Sequence, residues 1–164
     1  MSYGIRTHGF PEADRAIQRV ALGLSDLRSF WPLVTTAAIG WIGQQFDSEG
    51  AYFSGGWTPL SPEYSDWKDA NYPGKLILSR EGYLRRAATS PKRTVTPTVL
   101  ILEIEPYATE SGQVDPDWFQ SGTENMPARP LLPADTDPLP ATAQAELDQL
   151  ADQYVGQLLR ASGF

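Results

Sequence analysis

Apolar residues recur at helical spacing near the beginning of the chain. Pro11 suits the first turn of a helix, because the N–H that a proline lacks has no helical partner there. The apolar positions that follow lie three or four residues apart: Ala13, Ile17, Val20 and Leu24. Charged and polar side chains occupy the positions between them. The pattern predicts an amphipathic surface helix that ends between Gly23 and Asp26.

A second, longer helix is predicted to be apolar on more than one face. Ser29 is a candidate N-cap, and Gly50 can end the helix just after Glu49. The apolar residues of this segment are Trp31, Val34, Ala38, Ile39, Trp41, Ile42 and Phe46. A helix that is apolar on most sides must be covered on most sides. We expect a sheet to cover one face, whereas the other face is covered by a neighbouring subunit or by the rest of the same domain.

Residues 46–88 combine many aromatic side chains with frequent glycines and prolines. Interior glycine and proline exclude a single long helix, so we predict short helices and ordered loops that the aromatic rings anchor. Ser61-Pro62-Glu63 is typical of a helix start, for a helix that extends to about Lys68. Tyr72-Pro73-Gly74-Lys75 predicts a type II turn. Residues 80–88 can form another short helix.

The clearest strand pattern covers residues 98–105. Alternation places two sets of side chains on opposite faces, Leu100, Leu102 and Ile104 on one and Val99, Ile101, Glu103 and Glu105 on the other. Pro97 places the start of this strand at a sheet edge or a bulge. A second strand is predicted over residues 93–96 or near Tyr107.

Residues 113–140 contain repeated prolines and are predicted to form a long irregular connection. Trp118, Phe119 and residues 128–133 are too apolar to leave in solvent, so we expect a proline-rich arm that lies on a partner. From about Pro140 a regular apolar stripe predicts a C-terminal helix that Gly163 ends. The stripe consists of Ala143, Leu147, Leu150, Tyr154 and Leu158.

These elements predict an α+β fold. A small antiparallel sheet is packed by a long helix from the N-terminal half and by a C-terminal helix, with extended loops between them. The 164 residues suffice for a single domain with its own core. We divide it into an N-terminal helical segment (1–28), a core with the long helix, aromatic stretch and strands (29–112), the proline-rich arm (113–140) and the C-terminal helix (141–164).

Composition limits the chemistry that the chain can perform. It contains no cysteine, which excludes disulfides and thiolate metal sites and suits a reducing compartment. Its one histidine, His8, offers little material for histidine-based metal binding or nucleophilic catalysis. No apolar run approaches membrane-spanning length, and the first residues lack the basic and apolar regions of a signal peptide. We therefore expect the protein to be cytoplasmic when it is made.

The charge of the chain is strongly negative and unevenly distributed. A net charge of -7 and a pI near 4.6 argue against tightly held nucleic acid, because phosphate neutralisation needs surplus lysine and arginine. Residues 103–152 are rich in acids, whereas a central stretch is basic: Arg80, Arg85, Arg86, Lys92 and Arg93. Either these are two solvated faces, or basic surface on one subunit meets acidic surface on the next.

Candidate catalytic and metal-binding residues are sparse. Glu103 and Glu105 share a strand face and could form an acid/base pair, but carboxylates at this spacing are typical of a solvated outer face. Gly55-Gly56 is not followed by the lysine and hydroxyl of a phosphate loop. Two further acidic pairs lack the spacing of a calcium loop, Asp47 with Glu49 and Asp115 with Asp117. We expect no enzymatic activity, no metal and no cofactor.

Several short motifs follow one another in a distinctive order. They are Phe46 to Gly50, Trp57-Thr58-Pro59-Leu60-Ser61, Lys68, Ile77-Leu78, Glu81-Gly82-Tyr83-Leu84-Arg85, Tyr107-Ala108 with Gly112, and Met126-Pro127-Ala128-Arg129-Pro130-Leu131-Leu132. From about Phe30 to the final helix, the ordered set resembles the phage virion-morphogenesis (tail-completion) family of Mu-like and related tailed phages. The chain departs from that family at Glu81, where a threonine is usual, and residues 113–125 have no clear counterpart.

The resemblance implies a structural virion protein of the tailed-phage neck, assembled in the host cytoplasm, that completes the tail or joins it to the head. It implies a ring, most simply a homo-hexamer, through which DNA passes without specific binding, and no contact with a membrane. The implied partners are further copies of the chain and neighbouring neck and tail proteins, such as the tail terminator or tube and a head-completion or adaptor protein. Two alternatives remain: a tail terminator or head-closure protein of the same neck, and a soluble carbohydrate-binding or hydrolytic module using Trp57, Trp67 and Glu103.

We expect eleven residues at interfaces or in structural motifs: Trp41, Trp57, Leu60, Trp67, Gly82, Leu84, Arg85, Arg86, Arg129, Pro130 and Leu131. Trp57 and Trp67 are expected to anchor loops and to be largely buried in the assembled state. The planar guanidinium of Arg129 can hold a carboxylate or several carbonyls. We expect it to pin the arm to its own domain or to the adjacent subunit, with Leu131 and Leu132 beside the C-terminal helix.

Overall fold

The computed structural model describes residues 11–133 and 137–163. His8 and residues 134–136 of the predicted arm lie outside the described residues. Over the part of the chain that is described, the fold is α+β, as the sequence predicts, and its strands form two small antiparallel sheets. The helices that occupy most of the remaining structure surround one central helix.

The helices of the described residues are α1 (Pro11–Ser25), α2 (Trp31–Asp47), α3 (Ala51–Ser54), α4 (Pro62–Asn71), α5 (Tyr83–Ala88), α6 (Asp117–Ser121) and α7 (Ala141–Ser162). A 3-10 turn over Leu27–Ser29 separates α1 from α2. The predicted start of α4 is confirmed, because the Ser61 hydroxyl accepts a hydrogen bond from the N–H of Tyr64 and Pro62 opens the helix. Gly163 ends α7 in the left-handed conformation, as predicted.

Four strands pair into two separate hairpins in the described residues. β1 (Lys92–Val95) pairs antiparallel with β2 (Leu100–Glu103), and β3 (Tyr107–Thr109) with β4 (Gly112–Val114). Both positions considered for a second strand are therefore strands, but they belong to different sheets. The turn of the first hairpin is fixed to the helices, because Trp31 donates its indole N–H to the carbonyl of Thr96 at 2.8 Å.

Helix α2 contacts both hydrophobic clusters of the core. Ile42 and Phe46 lie in one cluster with Trp57, Leu84, Ala88 and Leu131. On an adjacent face of α2, Ala37 and Trp41 pack with Ala143 of α7. Phe46 is fully buried and Trp41 is 5% exposed, so burial of this helix supplies much of the hydrophobic stabilisation of the domain.

The covering of α2 differs from the sequence prediction. Its contacts are mainly with α3, α5, α7 and the 3-10 turn rather than with a sheet. The short hairpins are too small to cover a helix of 17 residues, so the neighbouring helices take that role within one chain.

Ser29 is also not the N-cap of α2. Its hydroxyl instead lies 2.9 Å from the hydroxyl of Tyr154 in α7.

Helix α1 packs against α7 by a different face from the predicted one. Ala16 is buried, and Arg19 donates to the carbonyl of Ser162 at 2.8 Å. Ile17 and Leu24, which the apolar stripe placed toward the core, are 58% and 45% exposed. The predicted apolar stripe is adjacent to the face of α1 that packs on α7, so part of the apolar surface of α1 is exposed.

The predicted arm is partly regular and lies on its own chain. Its first residues form the end of β4, and α6 follows at Asp117–Ser121. The arm was therefore wrongly predicted as one irregular connection. The sequence patterns of the strand β4 and of the single-turn helix α6 are too short to be recognised between the prolines.

A close approach of two backbone segments fixes the loop after α2. Gly50 has φ +91°, and a Cβ built on it would lie 2.3 Å from Cδ1 of the Trp57 ring. The N–H of Trp57 donates to the carbonyl of Glu49 at 2.7 Å, which holds the two segments together. A glycine is needed at this position both for the backbone conformation and for the space.

Replacing Gly50 by alanine should therefore destabilise the fold more than the same change at Gly55. Gly55 also has positive φ, +72°, but its Cβ would meet nothing within 4 Å. We expect Gly55→Ala to cost about 1–2 kcal/mol of unfolding free energy, and Gly50→Ala about 2–5 kcal/mol, because a steric clash adds to the backbone strain. Urea unfolding of both variants measures the difference. Equal losses would contradict the close approach of Gly50 to Trp57.

Candidate functional site

Two prolines and an arginine bring the end of the predicted arm onto the body of the protein. The N–H of Arg129 donates to the carbonyl of Phe119 at 2.7 Å, which orients the segment after α6. The guanidinium donates through Nε to the carbonyl of Thr58 at 2.9 Å and through Nη2 to that of Pro59 at 3.1 Å. Arg129 is 5% exposed. It pins the arm to its own domain, one of the two possibilities that the sequence left open.

The carbonyl oxygen of Pro130 receives two buried donors. Gln45 of α2 donates its side-chain N–H and Trp57 its indole N–H to this oxygen, each at 2.8 Å. The side-chain oxygen of Gln45 accepts the N–H of Phe53 at 2.8 Å. Gln45 is fully buried, so these bonds satisfy a polar group whose burial would otherwise be unfavourable.

A second glutamine continues this pattern at the next two residues. The side-chain oxygen of Gln120 in α6 accepts the N–H groups of Leu131 at 2.9 Å and Leu132 at 3.2 Å. Its side-chain nitrogen donates to the carbonyl of Leu132 at 2.9 Å. We call residues Arg129–Leu132 the docked segment, because side chains from α2, α6 and the Trp57 loop bond to its backbone.

The leucines of the docked segment lie elsewhere than predicted. Leu131 is 1% exposed and packs in the cluster of Ile42, Leu84 and Ala88, between α2 and α5. Leu132 packs against the edge of the same cluster. The placement beside the C-terminal helix was therefore wrong for both leucines, and so was the prediction that this part of the arm lies on a partner. The hydrogen bonds to Pro130 direct the leucines into the space beside Phe46.

A groove of about 610 Å³ opens beside the docked segment. It lies between α4, the loop before α5 and the segment that follows α6. Its lining residues are Pro59, Leu60, Ser61, Tyr64, Lys68, Leu78, Arg80, Phe119, Asn125, Met126, Pro127 and Arg129. The surface is mainly apolar, and the charged residues among those that line it are all cationic.

Lys68 is buried in the wall of this groove. It is 4% exposed, and its Nζ donates to the carbonyl of Lys75 and, at 2.9 Å, to that of Leu76. On the other side of this loop, Glu49 accepts the N–H of Ile77 at 2.6 Å. These bonds hold Leu78 at φ +59°, a conformation that a leucine rarely adopts, and Leu78 lines the groove.

The electrostatics of the groove are dominated by positive charge. Burial lowers the pKa of Arg129 below its usual range, and the neighbouring Tyr64 acts in the opposite direction. Arginine nevertheless stays protonated at neutral pH. Within the described part of the chain, neither Lys68 nor Arg129 forms an ion pair with a carboxylate. The groups of the described chain that bond to these two buried cations are backbone carbonyls.

A cluster of aromatic rings lies along α4 beside the groove. Tyr64 stacks on Trp67 with ring centroids 5.5 Å apart, and Trp67 contacts Tyr72 at 5.8 Å. Trp67 is 43% exposed in the single chain. A second hollow, lined in part by Tyr64, Tyr107 and Phe119, continues the groove toward the β3–β4 hairpin. Burial raises the pKa of the Tyr107 phenol there.

The structure brings some of the eleven sequence-predicted residues together and separates others. Trp57, Leu84 and Leu131 are core residues of one cluster, and Pro130 bonds to Trp57. Leu60 and Arg129 line the groove, and Gly82 lines its continuation. Four remain apart from the docked segment. They are Trp41, whose indole N–H donates to Glu146 at 2.6 Å, the exposed Trp67, Arg85, which pairs with Asp47, and Arg86, which lies over the Tyr83 ring.

Several members of the predicted basic stretch are paired within the chain. Arg85 contacts Asp47 at 2.5 Å, and the hydrogen bond from Arg85 lowers the pKa of Asp47. Lys92 lies 3.3 Å from Glu105 across the exposed hairpin. These exposed pairs contribute little stability, but they reduce the net positive charge of the stretch. Arg80 is also paired, with Glu81 at 3.2 Å, so among the described residues Arg86 and Arg93 are the members of the stretch without a carboxylate partner.

Some residues that hold the site were not predicted from the sequence. Gln45 and Gln120 were missed, and Lys68 was noted only as part of a motif. The sequence signal for Gln45 is that it is one of two adjacent amides, Gln44 and Gln45, between the buried Trp41 and Phe46 of α2. A polar residue in that position needs a partner, but the partner lies 85 residues away in the chain.

The described residues contain no group of three histidine, cysteine, aspartate or glutamate side chains positioned to hold a metal ion. No helix among them is both long enough and apolar enough to cross a membrane.

Comparisons with models of protein families, with curated proteins and with solved structures found no match to this chain. A functional assignment therefore rests on the residues and geometry of the chain itself.

The role of Gln120 can be tested by truncation. Gln120→Ala leaves the N–H groups of Leu131 and Leu132 without their acceptor, so we expect a loss of about 2–4 kcal/mol in unfolding free energy. Gln113→Ala is the matched control, since Gln113 is exposed in β4. Chemical denaturation of both variants measures this loss. Equal stability of the two variants would show that the docked segment does not depend on Gln120.

The fork geometry of Arg129 gives a second test. Arg129→Lys keeps the charge but cannot reach both the Thr58 and Pro59 carbonyls in the same way. We expect it to lower the unfolding free energy by about 1–3 kcal/mol, whereas Arg93→Lys on the exposed β1 should change it by less than about 0.5 kcal/mol. Thermal and urea unfolding provide the comparison. An Arg129→Lys variant as stable as its control would contradict the pinning role.

Proposed function

We propose that this chain is a structural assembly protein, which works by contact with other polypeptides rather than by catalysis. Its buried polar side chains support this class of function, because they bond to the backbone and fix the fold. Gln45, Lys68 and Arg129 all hold carbonyl groups of distant segments. Such bonds produce a rigid subunit that presents fixed surfaces.

Exposed apolar side chains support the same class. Ile17 and Leu22 of α1 are 58% and 69% exposed, and Val99 and Ile101 of the first hairpin are each 46% exposed. Apolar surface that is grouped on one element is typical of a protein interaction site. A subunit of an assembly would cover this surface with its neighbours.

Within that class, we propose a tail-completion or head-to-tail joining protein of the tailed-phage neck. The ordered motifs support this proposal, and one observation carries it further. Trp57-Thr58-Pro59 and Arg129-Pro130 belong to different motifs, about 70 residues apart, yet they bond directly to each other. Two motifs that bond to each other act as one structural unit. Their joint presence therefore supports the resemblance to the family more strongly than two motifs that lie apart on the surface would.

In this proposal the copies form a ring, most simply a hexamer, through which the DNA passes. A chain with a net charge of -7 suits that position, because carboxylates facing the lumen repel phosphate and prevent the DNA from adhering. A tail terminator or head-closure protein of the same neck would share these properties. Binding to purified tails rather than to filled heads would favour the tail-completion role.

The carbohydrate-binding or hydrolytic alternative loses support from the placement of its residues. Trp57 is 6% exposed and its indole N–H is bonded to Pro130, so its ring cannot stack on a sugar. Glu103 is exposed on β2, and Trp67 lies on α4. In the part of the chain that the structure describes, the three side chains do not line one cleft, and the residues that line the groove beside the docked segment include no carboxylate.

Loss of the protein during phage growth tests the neck proposal. A nonsense mutation early in its gene should yield DNA-filled heads and separate tails in electron micrographs, because only the joining step lacks a component. Purified protein added to that lysate should restore infectious particles. A matched nonsense mutation in a gene for a major tail protein should instead remove the tails.

The proposal would be wrong if the nonsense mutant formed joined, infectious particles in normal numbers. It would also be wrong if wild-type virions, purified and analysed by mass spectrometry, contained none of this chain. The two measurements are independent of how many copies form the ring.

A further inference from the structure

The groove beside the docked segment is a cationic site in an acidic protein. Lys68 and Arg129 are 4% and 5% exposed and line it together with Arg80. Buried cations that lack an anionic partner are unfavourable unless a negative charge approaches them. Because the described lining residues include no carboxylate, a partner with carboxylates would complete this site.

Arg80 is positioned to receive such a carboxylate at the rim. Its Nε lies 3.2 Å from Glu81, and its guanidinium lies over the ring of Tyr72 at 5.4 Å. The side chain is 39% exposed, so the remaining guanidinium donors are open to a second partner. The groove thus combines a fixed, accessible arginine with apolar walls from Leu78 and Phe119.

The same chain carries a complementary acidic surface on α7. Asp148 and Asp152 are exposed and lie one helical turn apart, so their carboxylates lie on the same face. Gln144, one turn earlier, donates to Asp148 at 2.8 Å and orients it. The α7 sequence contains no lysine or arginine before Arg160. This face is the counterpart that the charge of the groove requires.

The groove and the acidic face are on different parts of the molecule. The docked segment packs on Ile42 and Phe46, whereas α7 packs on Ala37 and Trp41, a different face of α2. A contact between two different patches is heterologous, and repetition of such a contact with closure makes a ring. Two copies can therefore join groove to helix while each keeps one patch free for the next copy.

We propose that the groove of one copy binds the acidic face of α7 from a second copy, with Asp148 and Asp152 facing Arg80. This contact rests on the proposed ring and assigns its two surfaces. The carboxylates approach the positive charge of Lys68 and Arg129. Within their own copies, Asp148 and Arg80 have side-chain partners, Gln144 and Glu81, rather than backbone groups.

Cysteine cross-linking tests the contact, because the chain has no cysteine of its own. Asn125→Cys places a thiol at an exposed position of the groove, and Ala145→Cys places one on the acidic face of α7. A mixture of the two variants should form a disulfide-linked dimer under mild oxidation. A mixture of Asn125→Cys with Gln18→Cys, on the exposed side of α1, is the control for random collision. Equal cross-linking in the two mixtures would overturn the proposal.

Charge reversal then tests the pairing itself. Adding Arg80→Glu to the groove copy should reduce the cross-linking yield by at least about tenfold, since like charges then face each other. Adding Asp148→Lys and Asp152→Lys to the helix copy should restore it. Arg93→Glu, a reversal outside the groove, should leave the yield unchanged. Circular dichroism and urea unfolding confirm that each variant is folded.

A yield that Arg80→Glu does not reduce, or that the double lysine variant does not restore, would overturn the groove contact. Such a result would leave the proposed function standing if the nonsense mutant still accumulates separate heads and tails. Joined particles in that mutant, together with the expected cross-links, would instead overturn the neck function and keep the contact between copies.

Discussion

The carbonyl oxygen of Pro130 is the point at which three distant parts of the chain meet. Gln45 from α2 and Trp57 from the following loop both donate to it at 2.8 Å. Both donors are buried, and a buried donor without a partner costs about 1–3 kcal/mol. The bond pair therefore fixes where the docked segment lies, and Leu131 fills the space between α2 and α5 as a consequence.

The groove is a product of the same constraint. Arg129 adjoins Pro130 and reaches Thr58 and Pro59, so the loop that leads into α4 and the segment after α6 are held side by side. Lys68 fixes the third wall through the carbonyls of Lys75 and Leu76. The cations that stabilise these loops also give the groove its charge. The same hydrogen bonds of Lys68 and Arg129 therefore stabilise the fold and form the surface that we propose for a partner.

Sequence reasoning found the elements whose signals are local. The cap at Ser61 and the apolar stripe of α7 identify helices because a few neighbouring residues decide them. The docked segment could not be placed in this way, since Gln45 and Gln120 bond to it according to the tertiary fold. An isolated apolar segment such as Leu131-Leu132 indicates burial but not the surface that buries it. The outward position of Ile17 has the same origin, because the packing of α1 on α7 selects the face around Ala16.

Hydrogen exchange at the backbone N–H groups of Leu131 and Leu132 tests the central role of the docked segment most directly. If its bonds to Gln120 and the burial of Leu131 are part of the core, both amides should exchange only through global unfolding, as slowly as the amides of α2 around Phe46. Their protection should then fall by the same factor as that of α2 when urea is added. Exchange as fast as that of the exposed residue Glu124 would contradict the account, because the segment would then detach without unfolding the protein.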